Sequence, residues 1–181
     1  MRGGLAIIIY LLIALYLGLA YLIFNPKVSN AYRDFFIEKS SNISPFELSR
    51  MSEISLGQII FAGKDSQVGY DNFGPGGDVR LTNNKRSKLI ILLNQEAIQN
   101  AKGILEFNLA PYGTQRVTFS LNGQEIYSGK LSGPEVLKLT FPASFFIAGK
   151  NVIQIDTPDA REKGNGENEI LALQLKSFKL E

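Results

Sequence analysis

Residues 5–24 form an uninterrupted apolar run with no charge, no proline and one glycine, Gly18. These twenty positions match the length an α-helix needs to cross about 30 Å of hydrocarbon. Thirteen of them are Leu, Ile or Phe, which together favour insertion by about −4 to −8 kcal/mol. The pattern predicts a transmembrane helix. Asn25-Pro26 ends it, because proline disfavours helical backbone in the residue before it and has no N–H to donate. The alternative is a removable signal peptide, whose apolar core is about 7–15 residues and runs directly into a small-residue cleavage site. Here the run is longer, and the A-x-A-like candidate, Ser29-Asn30-Ala31, lies well past it. The length favours an uncleaved anchor.

Beyond the anchor the pattern changes twice. Tyr32, Phe35 and Phe36 fall at i, i+3 and i+4, one face of a short helix near the bilayer interface; it is either a spacer packed on its own domain or a contact for a membrane or partner. Ser44-Pro45-Phe46-Glu47 has Ser as N-cap, Pro at the first helical position and Glu three residues after the cap, so a helix starts at Pro45 and runs to about Ser52. From about Leu56 short alternating apolar runs are separated by Gly, Asn and Pro, which is the pattern of strands. They fall at 58–62, 89–94, 104–110, 116–121, 125–129, 137–141, 152–156 and 170–180.

Val117, Phe119 and Leu121 alternate with Thr118 and Ser120, one face buried and the other solvated. Asn122-Gly123 then supplies the positive-φ pair of a two-residue type I′ hairpin turn. Leu171, Leu173 and Leu175 are out of phase with Phe178 and Leu180, which predicts a bulge near Lys176-Ser177. Eight short strands without intervening helical patterns predict a mainly β fold, an antiparallel, jelly-roll-like β-sandwich preceded by a single N-terminal transmembrane helix. The chain divides into an anchor at 1–25, a juxtamembrane linker with a short helix at 26–56, and the sandwich domain at 57–181.

Composition narrows the chemistry. There is no His and no Cys, which excludes the usual zinc sites, thiol nucleophiles and His-based triads. Outside the anchor and its leader, 18 basic residues face 17 acidic ones, a balance without the clustered basic footprint of a nucleic-acid binder. Arg2 precedes the span, while Lys27, Arg33 and Lys39 follow it, so the charge rule read literally is ambiguous. A short basic leader before a long domain favours an extracytoplasmic C-terminal domain, since long domains cross largely regardless of charge.

Sugars offer apolar C–H faces and polar edges, so glycan-binding sandwiches combine exposed rings with amides and carboxylates. Tyr70, Asp71, Asn72 and Phe73 provide such a set in one turn, and Tyr112 in Pro111-Tyr112-Gly113 is placed to join it. The competing assignment makes Phe73 a core plug and the tyrosines loop supports. The acidic stretch 156–169 holds Asp156, Asp159, Glu162, Glu167 and Glu169 with Asn165 and Asn168, enough oxygen ligands for Ca²⁺; with Arg161 and Lys163 interleaved and no fixed spacing it reads as a solvated charged loop, and neither a metal nor a cofactor is expected. No pair of carboxylates is marked out for glycoside hydrolysis. Asn42-Ile43-Ser44 matches a short glycosylation acceptor pattern. Ala14 and Gly18 form a small-xxx-small notch that would let a second transmembrane helix approach closely, unless that surface faces lipid.

Gly57-Gln58-Ile59-Ile60-Phe61, the Gly-rich turn from Gly69 to Gly77, the Gln115 to Gly123 hairpin, the run from Asn151 to Ala160, and the closing Ile170-Leu171-Ala172-Leu173 and Ser177-Phe178-Lys179-Leu180 carry a resemblance. Together they resemble the jelly-roll-like extracytoplasmic domain of uncharacterised function at the C-terminus of bacterial multi-spanning glycosyltransferases and phosphoglycerol-transferase-like membrane proteins. Two features depart from that family. Its Gly-rich turn tends to carry Trp and an acidic residue, whereas this chain has no Trp; and its domain follows a multi-helix enzyme, where one helix stands here. With the apolar run, the missing His and the unlocated acid pair, the resemblance points to a membrane-anchored, non-enzymatic accessory subunit. Its extracytoplasmic sandwich would bind a glycan or a polytopic membrane partner in cell-surface polysaccharide or lipid-linked sugar metabolism. The alternative is a purely structural or assembly subunit without glycan contact. An enzyme acting on glycans is the third and least favoured reading.

Overall fold

The computed structural model describes residues 43, 45–63, 67–75, 77–162 and 170–181, with Leu12, Tyr16, Leu17 and Tyr32 as isolated helical positions. The predicted transmembrane span otherwise lies outside the described residues, as do Ala14, Gly18, Phe35 and Phe36. Among the described residues no helix is long and apolar enough to cross a membrane.

Among the described residues the first element with stated bounds is the helix α1 (Pro45–Arg50), which begins at the proline the capping pattern predicts. Four short strands follow: β1 (Ile59–Phe61), β2 (Gly69–Asp71), β3 (Phe73–Pro75) and β4 (Arg80–Thr82). Next come β5 (Arg86–Leu93), α2 (Gln95–Asn100), β6 (Ile104–Pro111), β7 (Gln115–Leu121), β8 (Gln124–Leu131) and β9 (Glu135–Thr140). A 3-10 turn at Ala143–Phe145 leads into β10 (Gly149–Asp156), then β11 (Arg161–Glu162), β12 (Ile170–Leu171) and β13 (Leu173–Leu180). One sheet has the order β3-β4-β13-β6-β9, with β1 also on β13, and the other has β2-β5-β10-β7-β8. The named strands all pair antiparallel, so the expected antiparallel two-sheet sandwich is found.

Alternation drives the core. Leu105, Phe107 and Leu109 of β6 and Leu173, Leu175, Phe178 and Leu180 of β13 face Leu89, Ile91 and Leu93 of β5, Val117, Phe119 and Leu121 of β7, and Ile153 and Ile155 of β10. Phe107 sits 5.0 Å from Phe119 and 5.9 Å from Phe178, ring centre to ring centre, linking the two sheets through aromatic contact. The bulge in β13 is where the phase break predicts it: Leu175 pairs with Leu109 and Ser177 with Asn108, leaving Lys176 unmatched. One extra residue restores the phase, so Phe178 and Leu180 turn inward with Leu173 and Leu175. At the same point the free edge of β13 changes hands from β4 to β1. Ala62 N–H fills the gap by donating to the Lys176 carbonyl at 3.0 Å.

The Asn122-Gly123 hairpin also forms as predicted, with φ of 51° and 83° and Leu121 paired with Gln124 across it. Elsewhere the boundaries differ. The strand expected at 89–94 begins at Arg86 and ends at Leu93, because Arg86 and Lys88 are outward positions in a strand whose alternate residues are buried. Asn94 instead caps α2, its side chain accepting from Ala97 N at 2.8 Å. The run expected at 170–180 is two strands broken at Ala172. β2, β3 and β4, each three residues, escape the sequence pattern because they are too short to alternate. Packing also reaches upstream of Gly57, since Ile54 and Ile43 are 2% and 4% exposed.

Candidate functional site

β2 and β3 are the terminal strands of the two sheets, and the chain passes from one sheet to the other at Asn72. That corner requires left-handed backbone, and Asn72 adopts φ of 60°, a conformation asparagine tolerates better than most residues. Its carbonyl accepts from Asn83 N at 3.1 Å and Ser87 Oγ at 2.8 Å, and its Nδ2 donates to the Arg86 carbonyl at 3.1 Å. Asn72 is therefore a structural corner between the sheets.

Alternation sends the residues around it in opposite directions. Tyr70 turns toward the gap between the sheets, where it meets Phe73 edge to face at 5.7 Å; Phe73 itself is 9% exposed. Asp71 points to the outer face with Lys88, its pairing partner. It is 2% exposed, with Oδ2 4.0 Å from Lys88 Nζ, and its Oδ1 has no hydrogen-bond partner among the described residues. Tyr112 sits at the end of β6. Its hydroxyl accepts from Gln174 Nε2 at 2.8 Å and its carbonyl from Gln115 Nε2 at 2.7 Å. Three inter-strand steps separate β6 from β3, about 14 Å at strand spacing. The structure thus brings Tyr70 and Phe73 together, puts Asp71 on another face, makes Asn72 the corner, and holds Tyr112 apart.

What gathers around Tyr70 is a set the sequence pattern does not mark. The segment at α1 lies over the edge formed by β2, and Gly69 makes the approach close: a Cβ there would lie 2.7 Å from Ile43 Cδ1 and 3.3 Å from Met51 Sδ. Between α1 and the β2–β3 corner is a cleft of about 360 Å³. Ile43, Met51 and Val68 supply apolar wall, and Tyr70 and Phe73 line it from the sandwich side. Among the described residues its charged groups are Glu47, Arg50 and Arg80.

Arg80 is held in place from two directions. Its guanidinium carbon lies 4.8 Å from the centre of the Tyr70 ring, and its Nε donates to the Ala62 carbonyl at 3.1 Å. Because Ala62 is itself fixed to the β13 bulge, the register shift in the sandwich orients a side chain in the cleft. Arg50 rests 4.0 Å above the Phe46 ring. Among the described residues neither arginine forms an ion pair, whereas Arg86 is matched to Asp156 and Arg116 to Asp159. Glu47 and Arg50 share a helix face at i, i+3, the one sequence signal that could have pointed to the cleft. Arg80 has none, since only the fold brings β4 to β2.

Within the acidic stretch, Asp156 and Asp159 are engaged in ion pairs. Asp159 accepts from Arg116 Nε and Nη2 at 2.9 and 2.8 Å and from the Arg116 backbone N–H at 3.1 Å. These hydrogen bonds hold its carboxyl down to about 2. Asp156 accepts from Arg86 and Gln154. Among the described residues no three acidic side chains gather as a metal would require; residues 163–169 lie outside them.

No protein-family model matches the chain, and no curated protein matches it. Among solved structures it is similar to the carbohydrate-binding module CBM36 in complex with calcium and xylotriose, at 12% identity and TM-score 0.41 over 68% of this chain and 99% of that one. It is also similar to CBM35 from Paenibacillus barcinonensis, at 13% identity and TM-score 0.42 over 69% and 98%. A third is a mutant of the CBM29-2 module, at 14% identity and TM-score 0.39 over 67% and 89%. The sandwich and its cleft stand on this chain's own strand pairing and side chains.

Proposed function

We propose that this protein is a membrane-anchored, non-enzymatic accessory subunit that binds a glycan in the cleft between α1 and the β2–β3 corner. Residues 5–24 hold it in the cytoplasmic membrane, and the sandwich lies outside the cytoplasm beside a polytopic membrane partner engaged in cell-surface polysaccharide or lipid-linked sugar metabolism. The observation that carries the glycan reading is the composition of the cleft. Apolar surface from Tyr70, Met51 and Val68 adjoins the hydrogen-bonding groups of Glu47, Arg50 and Arg80, the combination that an amphipathic sugar ring satisfies. The absence of His and Cys from the sequence supports a binding role. Among the described residues Glu47 is the one carboxylate lining the cleft, whereas glycoside hydrolysis ordinarily uses two.

A glycan array probed with the intact chain in detergent tests this reading. Binding that falls in Tyr70→Ala supports it, and absence of binding to any saccharide overturns it. A reporter fused after Glu181 and active only outside the cytoplasm tests the orientation.

The assembly reading draws on a different observation. Ile59 and Phe61 of β1 are 54% and 55% exposed, on a strand that pairs only with β13 among the described residues. Co-purification after gentle detergent extraction tests it: a chain that runs alone removes the partner.

A further inference from the structure

Arg50 and Arg80 come to one cleft from elements far apart in sequence, and each is already oriented. Stacking on an aromatic face leaves the in-plane N–H groups of a guanidinium directed outward. Arg80 uses Nε on the Ala62 carbonyl, which leaves the donors of its two terminal nitrogens. Two guanidinium groups sharing a partly apolar cleft repel one another, and among the described residues no carboxylate pairs with either. Among the described residues, Glu47 is the one carboxylate that lines the same space as the two arginines. An incoming anion relieves the repulsion, and a planar or tetrahedral oxyanion matches the guanidinium fork in bidentate fashion.

Resting on the glycan reading above, we infer that the saccharide bound in this cleft is acidic. Its anionic substituent, a carboxylate or a phosphate, lies between Arg50 and Arg80, and its apolar face packs against Tyr70 and Met51. Arg80 supplies directed donors because Tyr70 and Ala62 fix its plane. Arg50 supplies the second positive charge from the helix side.

The test is calorimetric titration of the full-length chain in neutral detergent with oligogalacturonate, its methyl-esterified form and phosphomannan oligosaccharide. The ester keeps the ring and removes the charge. An acidic saccharide should bind about tenfold more tightly than the neutral ester, the difference made by a charge-assisted contact over a neutral one, and added salt should shrink that preference. Arg50→Gln, at an exposed position, should abolish the preference while leaving the far-UV circular dichroism unchanged. Arg80→Lys, which keeps charge and loses the fork, should reduce it by less. Tighter binding of oligogalacturonate identifies a carboxylate, and tighter binding of phosphomannan alone identifies a phosphate. Equal affinity for acid and ester, or a preference that survives in Arg50→Gln, overturns the inference and leaves the glycan reading standing. No binding of any of the three saccharides overturns the inference, and the glycan array then decides separately whether the glycan reading stands.

Discussion

The guanidinium carbon of Arg80 lies 4.8 Å from the centre of the Tyr70 ring, joining a strand of one sheet to the edge strand of the other. The contact ties the β13 bulge, through Ala62, to the aromatic lining of the cleft. Arg80→Met should therefore cost about 1–2 kcal/mol, the cation–π contact and one hydrogen bond together. Arg80→Lys should fall between it and the parent in urea unfolding. A variant as stable as the parent would mean that the contact does not join the sheets energetically.

The sandwich draws on residues before Gly57. Ile43 and Ile54 are 4% and 2% exposed, and burying each is worth about 1.5–3 kcal/mol. A fragment of residues 57–181 should melt about 10 °C or more below one of residues 42–181. Equal melting temperatures would show that neither side chain contributes to the fold.

Asn151 is fully buried and joins two turns. Its Oδ1 accepts from Asn122 Nδ2 and Ile147 N at 2.9 Å each, and its Nδ2 donates to the Ile147 carbonyl at 2.7 Å. Asn151→Ala should cost about 2–3 kcal/mol in chemical denaturation, since it leaves buried groups unpaired. Asn151→Asp should cost at least as much, because it removes the donor and buries a charge. A near-neutral aspartate variant would contradict this network.

The Arg116–Asp159 pair gives a dependence on pH. Arg116's hydrogen bonds hold the Asp159 carboxyl down to about 2, below the roughly 3.9 of a free aspartate. A depressed folded value means that the pair's stabilisation is complete above about pH 4 and fades as the pH falls toward about 2. The side chains are 68% and 33% exposed, so the effect is small and weakened by salt. Melting temperatures of Asp159→Asn and the parent should differ modestly at neutral pH and converge near pH 2. A gap that stays constant over that range would exclude the ion pair as its source.

Much of the fold is legible locally. The Asn122-Gly123 turn, the β7 alternation and the Lys176 bulge are written in spacing, because a strand's two faces demand a period of two and a phase break demands an extra residue. The start of α1 is legible from the Ser44-Pro45 sequence pattern. β2, β3 and β4 are not, because three-residue strands are held by their neighbours rather than by their own pattern. The Gly-rich turn draws attention to Tyr70 and Phe73, which do meet. Asp71 and Asn72 lie beside them in sequence, yet alternation and a left-handed corner direct them elsewhere.

The sequence by itself determined the apolar run at 5–24, the exclusion of His and Cys chemistry, and the strand grammar of a two-sheet β domain, since each depends on residue type and spacing alone. Only the tertiary structure decided that Arg50, from a helix before the sandwich, and Arg80, from a strand after the corner, line one cleft with Tyr70. Their convergence follows from sheet order and from the close approach that Gly69 permits. Such contacts join residues distant in the chain, and no local period records them.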